Sequence, residues 1–291
     1  MNRFCHTSLR LITTFTWVTC FVSTLIAQTK KDVPYDTQHQ AQRLDVYQAK
    51  SDRPVPAMIY FHGGGWRAGS KNGIPAWLKK SVEEGSMTVV SVEYRFTDVA
   101  THPAQVQDCL RSIQFVRQHA KEWNIDASRI GVTGGSAGGH LSLWVALHDD
   151  IADPQSTDPV AKQSSRVRCA VSFAGPTDWS LLQSLEHKHP AYRQLLGYDV
   201  GTPADQMDPE KKKDVSPFSF ASKDDPPVLQ VHGDQDDIVP IEHAKNLHAK
   251  LEQLGVTSEL VVIQGGNHGI AGAGPQVSQR AAEFVKEKLL P

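Results

Sequence analysis

The run Gly134-Gly135-Ser136-Ala137-Gly138-Gly139 follows directly on the strand-like stretch Arg129-Ile130-Gly131-Val132-Thr133. Residues without a Cβ on both sides of the serine let a strand turn sharply into a helix, because side chains there would clash. Such a turn lifts Ser136 Oγ out of the sheet. It also sets the Ala137 amide at a helix N-terminus, where unpaired N–H groups face incoming negative charge. A chain built around this turn must supply a strand before it and a helix after it, so the rest of the sequence is best read for that alternation.

The alternation is there. Leu44–Tyr47 reads as an early strand after the polar, extended stretch Lys30–Gln40. Further strands are expected at Ala57–Phe61, Thr88–Tyr94, Arg129–Thr133, Val167–Phe173, Val228–His232 and Leu260–Ile263. Several are continuous apolar runs, as in strands covered on both faces. Ala104–His119 carries a helical stripe through Val106, Leu110, Ile113 and Val116. Ile241–Leu254 does the same through Ala244, Leu247 and Leu251, and a last helix is expected over Val277–Leu289. Strands alternating with helices indicate an α/β fold with a mostly parallel sheet and helices on both faces. Ligands and reacting groups then gather at the carboxyl ends of the strands.

Three more motifs fall at such strand ends. His62-Gly63-Gly64-Gly65-Trp66 follows Ala57–Phe61, and three glycines let backbone N–H groups approach a ligand closely. Val228–Val231 leads into His232-Gly233-Asp234-Gln235-Asp236-Asp237, where Asp234, Asp236 and Asp237 could each project from the loop. Leu260–Ile263 leads into Gln264-Gly265-Gly266-Asn267-His268-Gly269. Acyl transfer needs a nucleophile, a base, an orienting acid and donors for an oxyanion, and these loops hold all four. Ser136 is the candidate nucleophile and His268 the candidate base, with one of the three aspartates as the acid. The amides of Gly64, Gly65 and Ala137 are the candidate oxyanion donors, Gly63 being the alternative to one of the first two. His62 and His232 are expected to hold loops by hydrogen bonds, and His140 to be structural. Glu93 and Arg95 are expected to pair at their strand end. The aspartate cluster lacks further metal ligands, since Ile238-Val239-Pro240 follows it; no metal or cofactor is expected.

These residues together resemble the α/β-hydrolases of the hormone-sensitive-lipase-like esterase group. The resemblance is nearest to small bacterial esterases associated with feruloyl and acetyl-xylan substrates. It is carried by His62–Trp66, Val90–Arg95, Gly134–Gly139, Ser216-Pro217, His232–Pro240 and Asn267-His268-Gly269, and spans the chain from about residue 40 onward. It implies the α/β-hydrolase fold and the triad order serine, acid, histidine. The family pattern H-G-x-x-D-x-x-V-P falls on Asp236. The activity implied is a serine carboxylesterase acting through an acyl-enzyme on short-chain or carbohydrate-linked acetyl or feruloyl esters. Its substrate would be a small-molecule or oligosaccharide ester. A lipase, peptidase or arylformamidase on the same fold is the rival reading, and a non-catalytic binding protein is the rival of another class.

Residues 1–27 read as a signal peptide. Arg3 and Arg10 precede an uncharged stretch, Leu11–Ala27, which five threonines and one serine make marginal for spanning a bilayer. An exported protein (periplasmic or secreted) without stable membrane association after cleavage is expected, with residues 28–291 as the catalytic domain. The leader would take two arginines and no acid, turning 30 basic against 32 acidic side chains into 28 against 32. That balance excludes a nucleic-acid-binding surface. Lys211-Lys212-Lys213 reads as a solvated loop. Cys109 and Cys169 read as buried free thiols rather than a disulfide framework. Residues 176–216 separate two strands by about 40 residues, longer than a usual crossover, and are expected to form a small cap. Trp66 and, on the cap, Trp179 are the candidate substrate-binding side chains; for Trp66 a place in the core is the equal alternative.

Overall fold

The computed structural model describes residues 29–184, 189–269 and 274–290. The leader expected over residues 1–27 lies outside them. The apolar runs form the strands of one eight-stranded sheet: β1 Thr29–Pro34, β2 Arg43–Tyr47, β3 Val55–Phe61, β4 Thr88–Val92, β5 Ile125–Gly135, β6 Ala170–Phe173, β7 Val228–Gly233 and β8 Ser258–Ile263. Their order is β1-β2-β4-β3-β5-β6-β7-β8. From β4 to β8 every pairing is parallel, whereas β1–β2 and β2–β4 are antiparallel. Every residue of β4 and β7 is buried, which is why these strands carry no polar alternation.

The stretch read as polar and extended begins with a true strand. β1 is polar because it is an edge, and its pairing with β2 is reinforced by Asp32 N–H donating to the buried Asp45 carboxylate at 2.8 Å. Lys71 closes this corner, with Nζ 2.7 Å from Asp32 and 3.0 Å from Asp45.

The helices are α1 Ala76–Glu83, α2 Ala104–Gln118, α3 Ala137–Leu147, α4 Leu181–Ser184, α5 Ala191–Leu195, α6 Pro209–Val215, α7 Pro217–Phe220, α8 Glu242–Gln253 and α9 Gly274–Leu289. Residues of β3 alternate between two cores. Ala57, Ile59 and Phe61 face α2, α3 and α8, and Met58 faces α1 and α9. Cys109 and Cys169 belong to these opposite cores and are both free; burial pushes the Cys169 thiol up to about 12. Helix α3 is buried on all sides, packed between the sheet and the segment 176–216. That segment contributes α4, α5, a short 3₁₀ turn at Ala204–Gln206, and α6. The lysine triplet read as a loop lies on α6, where Lys212 Nζ donates to Ala204 O at 2.9 Å. Among the described residues no helix is long and apolar enough to cross a membrane.

Candidate active site

The Ser136 turn joins β5 to α3. Ser136 sits at φ 55°, ψ −120°, a strained conformation for a residue with a side chain. Two backbone bonds hold it there: Ser136 N–H donates to Phe173 O on β6 at 2.7 Å, and His140 N–H donates to Ser136 O at 3.0 Å. Gly138 explains why the flanks are glycine. A Cβ on it would lie 1.9 Å from Phe61 O at the end of β3. The turn therefore sits directly on the neighbouring strand end, and Oγ is left pointing away from the sheet.

Ser136 Oγ is 2.9 Å from His268 Nε2, and His268 Nδ1 is 2.8 Å from Asp236 Oδ2. Among the three aspartates only Asp236 makes this contact. Its side chain is fully buried, and its Oδ1 accepts the amides of Ile238 at 3.0 Å and Val239 at 2.8 Å. Asp234 instead accepts the Gly265 amide at 2.6 Å, and Asp237 is exposed. Burial alone would raise the Asp236 pKa. Hydrogen bonds from His232, His268 and the Val239 amide outweigh it and hold the carboxyl well below the usual range. The group is thus a charged acceptor that fixes the proton of His268 on Nδ1 and leaves Nε2 free to accept from Ser136. His232 braces the loop from below, with Nε2 2.7 Å from Val239 O.

The glycine loop runs beside this chain of hydrogen bonds. Gly64 adopts φ 116°, where a Cβ would meet Ala68 O at 2.0 Å, and the Gly64 carbonyl accepts the amides of Arg67 and Ala68. That closes the loop. Among the described residues none accepts the amide hydrogen of Gly64, Gly65 or Ala137. His62 anchors the start of the loop: its Nε2 is 2.8 Å from Glu93 Oε1, and Tyr94 Oη donates to its carbonyl at 2.8 Å. The expected Glu93–Arg95 pair does not form. Glu93 turns to His62, and Arg95 reaches the buried Asp108 at 2.7 Å. Both residues lie beyond the end of β4 at Val92, where strand alternation no longer sets direction, and each takes a partner from another part of the chain, His62 after β3 and Asp108 on α2.

Trp66 follows with φ 57° and is buried, and it also lines the cleft, so both roles read for it coincide. Its Nε1–H donates to His140 Nδ1 at 3.1 Å. Because an indole nitrogen only donates, the His140 proton must sit on Nε2, which donates to Val215 O at 2.8 Å. Burial keeps His140 neutral, with its pKa lowered to about 3.

A cleft of about 440 Å³ opens over Ser136 and His268. Gly64, Gly65, Trp66 and Arg67 line it from the glycine loop; Pro176, His189, Ala191 and Tyr192 line it from the segment 176–216; Ile238 and Val239 complete the lining. Trp179 is not at the cleft. It is fully buried behind it, 5.7 Å from the Trp66 ring and 5.2 Å from the Tyr192 ring, and its Nε1–H donates to Tyr192 O at 3.2 Å. The expectation that it binds substrate fails because Tyr192 stands between. Sequence reading did not single out Arg67, Ile238 or Val239 as walls, although each adjoins a motif that was read. Among the described residues no cluster of three or more His, Cys, Asp or Glu could hold a metal ion.

The BD-FAE family model matches residues 44–251. The probable carboxylic ester hydrolase LipM of Mycobacterium tuberculosis is 30% identical over 226 residues, covering 77% of this chain and 52% of that protein. The chain thus spans about half the length of this curated relative. Among solved structures, a truncated carbohydrate esterase from gut microbiota superposes with a TM-score of 0.79 at 27% identity, over 92% of this chain and 99% of that one. An acetyl ester-xyloside bifunctional hydrolase from Caldicellulosiruptor lactoaceticus gives a TM-score of 0.72 at 28% identity, over 84% and 87%. The sheet, the strand-end loops and these matches lead to one conclusion: the fold is that of the α/β-hydrolases, and the chain belongs to the BD-FAE family.

Proposed function

We propose that this chain is a serine carboxylesterase that removes short acyl groups from carbohydrate esters. The observation that carries the reading is the unbroken chain Ser136 Oγ, His268, Asp236, facing the unpartnered amides of the glycine loop. His268 Nε2 takes the Ser136 proton as Oγ bonds to the ester carbonyl carbon. The carbonyl oxygen becomes an oxyanion and accepts the amides of Gly64, Gly65 and Ala137. Collapse of this intermediate breaks the bond to the alcohol oxygen, which takes the proton from His268. Water, deprotonated by His268, then attacks the acyl-enzyme, and the acid leaves from Ser136. Asp236 stays ionised throughout and stabilises the imidazolium. Each lost oxyanion donor costs a factor of about 100 to 1,000 in rate in such sites.

The acyl size is read from the buried part of the lining, where Trp66, Ala191, Tyr192 and Val239 are all nearly fully buried. Acyl chains of about two to four carbons suit these buried walls; each further methylene would gain only about 0.8 kcal/mol where it fitted, so a steep fall in kcat/KM beyond four carbons would mark a steric stop. The carbohydrate alcohol is supported by two solved neighbours, one named a carbohydrate esterase and the other an acetyl ester-xyloside bifunctional hydrolase. The pattern of residues 1–27 supports export to where such esters occur. Ser136→Ala should abolish hydrolysis of acetyl esters without lowering Tm, and a fluorophosphonate should label the wild type once, at Ser136. Activity retained in the mutant would refute the mechanism. Triglyceride hydrolysed better than acetylated xylan oligosaccharide would replace the substrate class with a lipase's. Export is tested separately, by sequencing the N-terminus of the protein recovered outside the cytoplasm; an intact Met1 would count against it.

A further inference from the structure

We infer, on the esterase reading above, that His189 is a substrate-binding residue whose Nε2–H reads a hydroxyl next to the ester on the alcohol side. His189 lines the same cleft as Ser136 and His268. It is the only imidazole on the cap side of that cleft among the described residues, and the triad does not use it. Its Nδ1 accepts the Ala191 amide at 3.4 Å, so a neutral ring carries its proton on Nε2. Burial and the nearby Arg67 and His268 lower its pKa, which favours that neutral ring. Among the described residues nothing accepts from Nε2. The ring edge lies against the oxyanion loop, with Cε1 3.9 Å from where a Cβ of Gly65 would stand.

The burial of the lining decides which part of the ester this donor meets. Trp66, Ala191, Tyr192 and Val239 are the buried part of the lining, and the esterase reading sets the small acyl group against them. Arg67 and Ala68 are exposed and His189 is half-exposed, so they form the open rim. A bulky alcohol would extend across that exposed rim. A single neutral donor beside the oxyanion loop suits an oxygen one carbon away from the ester-bearing carbon, as in a vicinal diol monoester. Arg67 is held toward the cap by its 2.7 Å hydrogen bond to Gln194, which keeps the rim polar without competing for the His189 donor.

A matched pair of esters tests this: trans-2-hydroxycyclohexyl acetate and cyclohexyl acetate, which differ by one vicinal hydroxyl. The wild type should favour the hydroxylated ester in kcat/KM by about tenfold, mostly through KM, as one neutral hydrogen bond provides. His189→Gln keeps an N–H donor at the reach of Nε2 and should keep most of the preference. His189→Leu and His189→Asn lack a donor at that reach and should bring the ratio near one. If the leucine variant does not fold, the asparagine variant gives the answer. No preference in the wild type, or a preference that survives in the leucine or asparagine variant, overturns the role of His189. Failure of the esterase reading would look different: neither acetate, nor p-nitrophenyl acetate, would be hydrolysed by any form of the protein.

Discussion

The two sides of the cleft are held in different ways. On the side of the Gly63–Ala68 loop and the Ser136 turn, main chain packs on main chain: Gly138 sits on Phe61 O, Gly64 on Ala68 O, and Ser136 N–H on Phe173 O. On the side of residues 176–216, side chains do the holding. Trp179 packs against Trp66, His140 and Tyr192, and its amide donates to Ser216 Oγ at 2.8 Å. Backbone packing fixes geometry to within tenths of an ångström because nothing in it can rotate away. Side-chain packing fixes position through volume, which other residues of similar size could supply. The first side can therefore hold reacting atoms, and the second can vary the shape of the cleft. His140 bridges them, accepting from Trp66 and donating to Val215 O.

The largest effect should come from the acid. Asp236→Asn should cut kcat by about 10⁴, whereas Asp234→Asn and Asp237→Asn should stay within about tenfold, because only Asp236 orients His268. A severe loss in Asp234→Asn would move the acid and undo the site as described. On the side of residues 176–216, Trp179→Ala should cost about 3–5 kcal/mol in chemical denaturation, as for other large core truncations. If its kcat on acetyl esters nevertheless stayed near wild type under conditions where it is folded, the division between the two sides would be sharpened; a loss rivalling Asp236→Asn would break it.

Next comes a pair of alanines on the catalytic side. Gly138→Ala forces a Cβ to 1.9 Å from Phe61 O, whereas at Gly135 the nearest atom is 3.8 Å away. The first should cost about 1–3 kcal/mol or more with a sharp fall in kcat, and the second should be mild in stability. Equal effects would mean that the turn is not pinned by main-chain contact.

The effect expected on the bridge is silent at neutral pH and shows only in acid. The folded pKa of His140 is lowered to about 3, below its unfolded value near 6.5. Protonation therefore favours the unfolded chain, so the stability is fully present above about pH 6.5 and is lost as pH falls from there toward 3. By pH 4.5 this amounts to about 2–3 kcal/mol relative to pH 7. Denaturant titrations of wild type and His140→Gln at both pH values would isolate it. A wild type no more acid-sensitive than the variant would remove His140 as the pH-dependent link between the two sides.

Much of this was legible in the sequence, for identifiable reasons. Strands such as Val228–Val231 are buried on both faces, so their apolar runs are continuous. Helix α2 shows its stripe because one face meets the sheet. Ser136 and His268 were legible because glycine-flanked loops after apolar strands are rarely built for anything but close approach. β1 escaped because an edge strand keeps a polar sequence, and α1 because eight residues leave too short a stripe. Trp179 was misplaced because an aromatic residue in a long insertion looks the same whether it lines a cleft or lies behind Tyr192.

The sequence by itself determined the alternation of strands and helices, the glycine turns and the order of the reacting groups, since these depend on residues close together in the chain. The loop's residues alone left three aspartates open and the family pattern pointed to Asp236; the tertiary structure shows that this is the one that meets His268. It also decided that Glu93 serves His62 while Arg95 serves Asp108, and that His189 rather than Trp179 faces the cleft. Each of these turns on a contact between residues far apart in sequence, or on which of two neighbouring side chains is buried. Periodicity and spacing describe which way a side chain points from its own element, and the partner it meets is set by how that element packs.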